Sequence, residues 1–160
     1  MHVKVDWKEP IQLTRHKKLI IEEKELLIQV AALPGIYFFS RRHGSKFEPF
    51  YIGETKSVQR RLRSHWRSAA IKDVLRGIGD ETINSIKGGE RYFHYGYLVK
   101  NAADPKKYLR IGQKYLIRQA MAQGITLLNK SLTKINVDTM EFIGSVKSRA
   151  IYPKKGEVEA

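Results

Sequence analysis

Two short stretches in the first third of the chain predict a pair of β-strands. Gly35 to Ser40 and Phe50 to Gly53 are both rich in β-branched and aromatic residues, which favour an extended backbone. The residues between them, 41–46, are polar or charged apart from one glycine, and that composition is typical of a loop. The two strands are therefore expected to form a hairpin.

Alternation along each strand predicts which side chains share a face. Tyr37 and Tyr51 fall opposite the apolar side chains of their own strands, so both tyrosines are expected to project to the other side from the core. On the strand pattern alone, amphipathic sheet residues are the simpler interpretation of these tyrosines. The residues expected to enter the core are the apolar pairs Ile36, Phe38, Phe50 and Ile52.

Three longer segments carry apolar residues every three to four positions, and each is predicted to be a helix. The first is stopped by Pro34. The last has a strong start, an N-cap aspartate followed by proline, and is ended by Gly124. The predicted helices are about Thr14–Ala32, Ser57–Arg76 and Asp104–Gln123, and further strands are predicted at Arg91–Lys100 and near Met140–Ile143.

The second predicted helix is strongly basic, and its cations divide into two groups. One group borders the apolar stripe, whereas the other faces away from it. The outer group either contacts a phosphate backbone or is a solvated charged face. The stripe consists of Val58, Leu62 and Ala69, the bordering group of Arg61, His65 and Lys72, and the outer group of Arg60, Arg63 and Arg67.

An amide interrupts the apolar stripe of the third predicted helix. Gln113 falls in the middle of that stripe, and a buried amide without partners costs on the order of 1–3 kcal/mol. Gly112 beside it is also unfavourable inside a helix. Both residues therefore need a structural or functional reason. The stripe itself consists of Leu109, Leu116 and Ala120, flanked by Ile117.

The net charge of the chain indicates the class of its binding partner. The 160 residues include 30 Lys plus Arg against 16 Asp plus Glu, a formal net charge of +14. Such an excess opposes compaction by self-repulsion and is usually tolerated because a polyanion is the partner. Nucleic acid is the leading expectation and a membrane surface the alternative, although no apolar run approaches the length of a membrane span.

The chain has no cysteine, which excludes disulfides, thiolate chemistry and zinc sites of the cysteine type. Its amino terminus lacks the apolar core of a signal peptide, so a cytoplasmic location is expected. The expected organisation is a single domain with an N-terminal extension over 1–33, a core over 34–130 and a C-terminal extension over 131–160. The last residues, 153–160, are expected to be a solvated tail.

Two tripeptides and four further elements occur in a fixed order along the chain. They are Gly35-Ile36-Tyr37, Tyr51-Ile52-Gly53, Arg61, His65, Gln113-Lys114-Tyr115-Leu116-Ile117 and Leu128-Asn129. Taken in order, these motifs resemble those of the GIY-YIG nucleases, a family that usually has a metal-binding glutamate at the position of Gln113. The resemblance covers about residues 34–130, and the ordered set at fitting spacings is much more specific than the tripeptides alone.

The resemblance implies a fold and an activity. The implied fold is α+β, with a small three-stranded antiparallel sheet flanked by helices, here with an extra N-terminal helix. The implied activity is that of a Mg²⁺-dependent DNA endonuclease, which hydrolyses phosphodiester bonds and also accepts Mn²⁺. The oligomeric state, the preferred strand type and the target sequence are left open.

The resemblance also implies roles for individual residues. Tyr37 would be the base or help to deliver the proton, with Tyr51 assisting. Because a tyrosine of pKa about 10 is a poor base, a neighbouring guanidinium is expected to lower it. Arg61 would hold the scissile phosphate bidentately and His65 would accept or relay a proton. The residues expected to bind substrate phosphates are Lys56, Arg60, Lys72 and Asn129.

The metal site is the weak point of the resemblance. Mg²⁺ prefers anionic oxygen, and glutamine offers only a neutral carbonyl of the same shape. Gln113 therefore marks a naturally impaired enzyme or a substitution made to hold substrate uncleaved. A further alternative is that Glu81 or Glu90 supplies the metal ligand.

Three functions remain open on the sequence. The first is an endonuclease on DNA, impaired at Gln113. The second is a catalytically inactive nucleic-acid-binding module on the same fold, for which the missing carboxylate is the evidence. The third is a non-enzymatic RNA-binding or ribosome-associated protein, suggested by charge alone.

Overall fold

The computed structural model describes residues 2–77, 88–99, 104–129, 137–141 and 155–159. By its internal contacts the chain divides into two compact units, 1–129 and 130–160. In the described residues no helix has the length and apolar character needed to cross a membrane.

The first unit combines seven strands with four helices among its described residues. The strands are β1 (Val5–Trp7), β2 (Ile11–Gln12), β3 (Thr14–Arg15), β4 (Lys18–Leu19), β5 (Gly35–His43), β6 (Lys46–Thr55) and β7 (Glu90–Leu98). The helices are α1 (Glu23–Ile28), α2 (Val58–Trp66), α3 (Ala69–Arg76) and α4 (Pro105–Ala122).

The main sheet is antiparallel, with β5 between β6 and β7. Strands β1 and β2 both pair with the far edge of β7, so the sheet has five strands in place of the three expected. The α+β class, the β5–β6 hairpin and the third strand agree with the sequence prediction. The two additional strands are too short to show an alternating pattern of their own.

The N-terminal helix is much shorter than predicted. The pattern predicts a helix over Thr14–Ala32, but the helix spans only Glu23–Ile28, and residues 14–19 form the β3–β4 hairpin. His16 and Lys17 at its turn have φ of 50° and 63°, the left-handed values that a tight hairpin turn requires. His16 and Lys17, expected inside a helix, thus form a hairpin turn.

A β-bulge changes the face of one core residue. Phe39 pairs with Tyr51 and Ser40 with Pro49, so Phe50 is an extra residue on β6. The Phe50 ring stacks on that of Phe39 with centroids 6.2 Å apart, in the main core cluster. Strict alternation, which puts Phe50 on the face of Ile52, is therefore wrong at this position.

Both faces of the hairpin are covered, which corrects the expectation that the tyrosines leave the core. Tyr37 is only 1% exposed and lies in the main core, between the sheet and helices α1 and α2. Ile36 is equally buried on the opposite face, where its side chain contacts the backbone of Gly112 in α4. A Cβ at Gly112 would collide with Ile36, which explains a glycine inside this helix.

The basic helix begins as predicted but is interrupted. Ser57 caps α2, its side chain accepting a hydrogen bond from the backbone N–H of Arg60 at 3.3 Å. The helix ends at Trp66, and α3 begins at Ala69. Its buried residues are Val58, Leu62, His65 and Trp66, whereas Ala69, expected in the stripe, is exposed.

Helix α4 confirms the predicted start and stop. The Asp104 side chain accepts hydrogen bonds from the backbone N–H groups of Lys106 and Lys107, at 3.1 and 3.4 Å. Pro105 occupies the first turn, and Gly124 follows the end with φ of 72°. The buried residues of the helix are Leu109, Ile117 and Ala120.

The described part of the second unit is an antiparallel pair of strands, β8 (Val137–Glu141) and β9 (Lys155–Glu159). Strand β8 overlaps the strand predicted near Met140–Ile143. The sequence predicts a tail over 153–160, but Lys155–Glu159 is a strand that pairs with β8 along its length.

Candidate functional site

The hydroxyl of Tyr37 lies at the centre of a small polar cluster inside the main core. It is 2.6 Å from Nε2 of His65 and accepts a hydrogen bond from Nε of Arg61 at 3.3 Å. Strand β5 carries the tyrosine, and successive turns of α2 carry the other two side chains. The structure therefore brings together three of the catalytic residues that the sequence indicated.

Gly53 makes room for the tyrosine ring. It is the cross-strand partner of Tyr37, and a Cβ at this position would collide with the ring and its hydroxyl. The glycine of the second tripeptide thus has a steric role that the sequence pattern missed. The register between the two strands is the signal that reveals it, because it sets Tyr37 directly opposite Gly53.

Tyr51 lies beside the cluster, half-buried. Its ring is 6.4 Å from that of Tyr37 in a stacked arrangement and 5.2 Å from that of His65 in an edge-to-face one. The hydrogen bond to Tyr37 and, more weakly, the nearby Tyr51 raise the pKa of Arg61. All four residues expected to be catalytic thus share one site.

Burial dominates the acidity of Tyr37. It raises the pKa of the hydroxyl well above its ordinary value, and the neighbouring Tyr51 adds to this rise. The hydrogen bond from Arg61 acts in the opposite direction but is weaker. The sequence-based expectation that a guanidinium lowers this pKa is right about the contact and wrong about the net direction, because desolvation is the larger effect.

His65 is a neutral imidazole at neutral pH. Burial, followed by the nearby charge of Arg61, lowers the pKa of His65 to about 4. Since Arg61 donates to the Tyr37 oxygen, the tyrosine proton is directed at Nε2 of His65, and the imidazole proton is assigned to Nδ1. The Tyr37 hydroxyl can then donate its proton to the unprotonated Nε2 of His65.

Gln113 and Asn129 both hydrogen-bond the backbone of Ile52. The Gln113 amide donates to the Ile52 carbonyl at 3.0 Å, and the Asn129 amide donates to the same oxygen at 2.6 Å. The Asn129 side-chain oxygen also accepts from the Ile52 N–H at 3.0 Å. These contacts meet the requirement that a partly buried amide has partners, and they tie α4 and the segment after it to β6.

The residues around Gln113 do not fit a dedicated Mg²⁺ site. Its amide N–H faces a carbonyl, so the side chain presents one neutral oxygen where a carboxylate would present two charged ones. Within the described ranges no cluster of three or more histidine or acidic side chains is arranged to hold a metal. Glu90, one alternative ligand, is bound to Thr14 and His16; Glu81 lies outside the described residues.

The remaining expected phosphate ligands lie on or near α2 and α3. Lys56 and Arg60 are exposed and Lys72 is half-buried, so their ammonium and guanidinium groups are available near the helix surface. Arg67 of the outer group instead pairs with Glu23 at 2.8 Å. Asn129 is buried against Ile52, which gives it a structural role; phosphate binding by these residues stays a prediction.

No protein-family model matches the chain, and no curated protein matches it. Among solved structures it is similar to the GIY-YIG N-terminal endonuclease domain of UvrC from Thermotoga maritima, in two point mutants bound to the catalytic divalent cation of that protein. Identity is 21% and 20%, the TM-score is 0.38 in both, and the match covers 68% of this chain and 93% of that domain.

At this identity and TM-score the likeness adds no weight to the chemistry of the site.

Proposed function

We propose that this protein is a nuclease that hydrolyses phosphodiester bonds in DNA, with weak activity in its present sequence. The observation that carries the proposal is the Tyr37 hydroxyl held between Arg61 and His65. Two features of the chain support a nucleic-acid substrate. The net charge is +14, and exposed cations extend along α2 beside the cluster.

In this proposal Tyr37 and His65 move a proton as a pair. The attacking water gives its proton to the Tyr37 oxygen as the tyrosine gives its own proton to Nε2 of His65. The tyrosine is thus neutral before and after the step, which avoids a buried phenolate whose raised pKa makes it unfavourable. His65 can accept because its lowered pKa keeps it neutral at pH 7.

Arg61 acts on the phosphate in this proposal. Its Nε is occupied by Tyr37, whereas the side chain as a whole is exposed. The outer N–H groups of the guanidinium can then bind two phosphate oxygens and stabilise the charge that develops in the transition state. The exposed Lys56 and Arg60 would hold neighbouring phosphates on the same strand.

The requirement of cleavage for a divalent cation is to be tested. Mg²⁺ or Mn²⁺, when bound, would neutralise charge on the scissile phosphate. The side chain at 113 is the one that would ligate it, and as glutamine it fits poorly. We therefore expect weak metal binding and slow cleavage, with the proton transfer and phosphate contacts still in place.

A second candidate function is a nucleic-acid-binding module that does not cleave. The hydrogen bond from Gln113 to Ile52 favours it, since the amide is used as a structural donor that a carboxylate could not replace. Binding would then depend on the same cations, while the Tyr37 hydroxyl would contribute only to packing.

Cleavage by matched variants separates the two candidates. We would compare the parent chain, Gln113→Glu and Gln113→Glu/Tyr37→Phe on supercoiled plasmid and on matched single- and double-stranded oligonucleotides, with Mg²⁺, Mn²⁺ or EDTA. The nuclease proposal expects Gln113→Glu to cleave faster than the parent and the double variant to cleave about 10²- to 10⁴-fold more slowly than Gln113→Glu. DNA binding by Gln113→Glu with no cleavage under any metal would favour the binding module.

A further inference from the structure

A row of aromatic side chains crosses the main sheet on the face opposite the Tyr37 cluster. Neighbouring ring centroids are 5.4, 4.2, 4.9 and 5.0 Å apart along the row. The contacts join four strands, β1, β5, β7 and β6. In spatial order the aromatic row consists of Trp7, Phe38, His94, Phe47 and Tyr92.

The aromatic row is not part of the main core. Trp7 is 43% exposed, and the other four members are half-buried. At its Trp7 end the row opens into an apolar groove of about 440 Å³, which Ile36 and Gly112 also line. A contiguous, partly exposed aromatic surface of this kind usually marks a binding site, whereas scattered exposed apolar residues do not.

His94 behaves in the row as an uncharged ring. Burial lowers its pKa to about 4, and its Nε2 lies 2.7 Å from the hydroxyl oxygen of the buried Ser40. The ring stacks on Phe38 at an interplanar angle of 11°. The middle of the row is therefore apolar and fixed in orientation at neutral pH.

The other end of the row is cationic. The Arg42 guanidinium lies over the Phe47 ring, 5.6 Å from its centroid, and donates to the Tyr92 hydroxyl at 3.3 Å. The tip of the β5–β6 hairpin, residues 42–46, is called the 42–46 turn; it also includes His43 and Lys46, both exposed, and no acid. Flat apolar rings thus continue directly into a basic turn.

From this juxtaposition we propose that the aromatic row and the 42–46 turn bind single-stranded nucleic acid. Unpaired bases present flat faces that stack on aromatic rings, and the phosphates between them are attracted to a basic turn. A duplex keeps its bases stacked on one another, so it would engage the turn alone. This surface is separate from the Tyr37 cluster and does not depend on whether that cluster cleaves.

Binding measurements on the full chain test the proposal. We would titrate a short oligothymidylate and a duplex of equal length at one fixed salt concentration, following anisotropy of the labelled strand and quenching of tryptophan emission. Trp7→Ala and Phe47→Ala are each expected to weaken single-strand binding roughly 5- to 150-fold, the range for loss of one stacked base. Duplex binding should change by no more than about twofold.

Control variants distinguish stacking from other causes. Ile28→Ala removes an exposed apolar side chain outside the row and should leave both affinities unchanged. Tyr37→Phe, which addresses cleavage, should bind single strands as the parent does. The proposal is overturned if correctly folded Trp7→Ala and Phe47→Ala bind oligothymidylate as tightly as the parent. It is also overturned if these variants lose self-association, which would make a second copy of the chain the occupant.

Discussion

The Tyr37 hydroxyl and Nε2 of His65 are 2.6 Å apart, a contact between the middle of a sheet and the last turn of a helix. Both side chains are buried, and neither is charged at neutral pH, since burial raises the pKa of one and lowers the pKa of the other. The pair is therefore a neutral hydrogen bond, and its proton can pass to His65 only as the Tyr37 oxygen takes up another proton.

Removing the Tyr37 hydroxyl should separate chemistry from binding. In a Gln113→Glu background, Tyr37→Phe is expected to lower the cleavage rate about 10²- to 10⁴-fold, the usual contribution of a positioned acid–base group. DNA affinity should stay within about twofold, because Arg61 and the exposed lysines remain. Single-turnover cleavage and anisotropy binding measure the two effects. An equal loss of cleavage rate and of DNA affinity would mean that the Tyr37 hydroxyl has only a structural role.

Acid should destabilise the protein through its buried histidines. The pKa values of His65 and His94 are both about 4 in the fold, below the ordinary 6.5, so the unfolded chain takes up more protons between these values. The stability they contribute is present above about pH 6.5 and is lost as the pH falls towards 4. Calorimetric melting of the parent, His65→Gln and His94→Gln at a series of pH values measures this.

Each histidine variant should melt with a shallower dependence on pH than the parent in that window. Because each variant still has one of the two histidines, its melting temperature should keep part of the dependence on pH. If the slopes of the parent and both variants coincide, other groups control acid unfolding and the assignment of neutral imidazoles is wrong.

Enlarging Gly53 should displace the tyrosine ring. Gly53→Ala introduces a Cβ that collides with Tyr37, and forced overpacking of this kind typically costs about 1–3 kcal/mol of the free energy of unfolding. In the double variant Gly53→Ala/Tyr37→Leu the obstructing ring is absent, so most of that cost should disappear while cleavage stays lost. Urea unfolding of the two single variants and the double variant gives the coupling energy; a value near zero would contradict the packing.

Replacing the amide of Gln113 should make stability depend on divalent cations. Gln113→Glu sets a carboxylate against the Ile52 carbonyl and removes a donor, which we expect to cost about 1–3 kcal/mol. A bound Mg²⁺ or Mn²⁺ would relieve that repulsion, so the melting temperature of this variant should rise on adding the cation. The parent should show little response.

Gln119→Glu is the matched control, because Gln119 lies on the same helix and is exposed. It adds the same charge and should respond to the cation no more than the parent does. A similar cation response in both glutamate variants would indicate nonspecific screening. It would remove the argument for a metal position at 113.

Signals that act over a few residues predicted the local structure well. Asp104, Pro105 and Gly124 defined α4 because capping and helix termination depend on immediate neighbours. Ser57 marked the start of α2 for the same reason. The resemblance to the GIY-YIG nucleases also implied that Tyr37 and Arg61 share a site, and the helical periodicity of the basic segment set Arg61 on the same border as His65.

Features that depend on distant partners were missed. Strand β2 has two residues, and only its pairing with β7, some eighty residues away, makes it a strand. The bulge at Phe50 is defined by the register between β5 and β6, which alternation along one strand does not show. The net rise in the pKa of Tyr37 was missed because the depth of burial is a property of the whole fold.

The contacts made by residues 128–129 have a consequence for solubility. Strand β6 lies at the edge of the main sheet, where unpaired backbone groups can recruit strands from other molecules. Asn129 occupies both the N–H and the carbonyl of Ile52, and the N–H of Leu128 donates to the Phe50 carbonyl at 2.7 Å. Residues 128–129 therefore cover part of the β6 edge and oppose edge-to-edge aggregation. A chain truncated after α4 would expose this edge, which could then pair with the same strand of other copies.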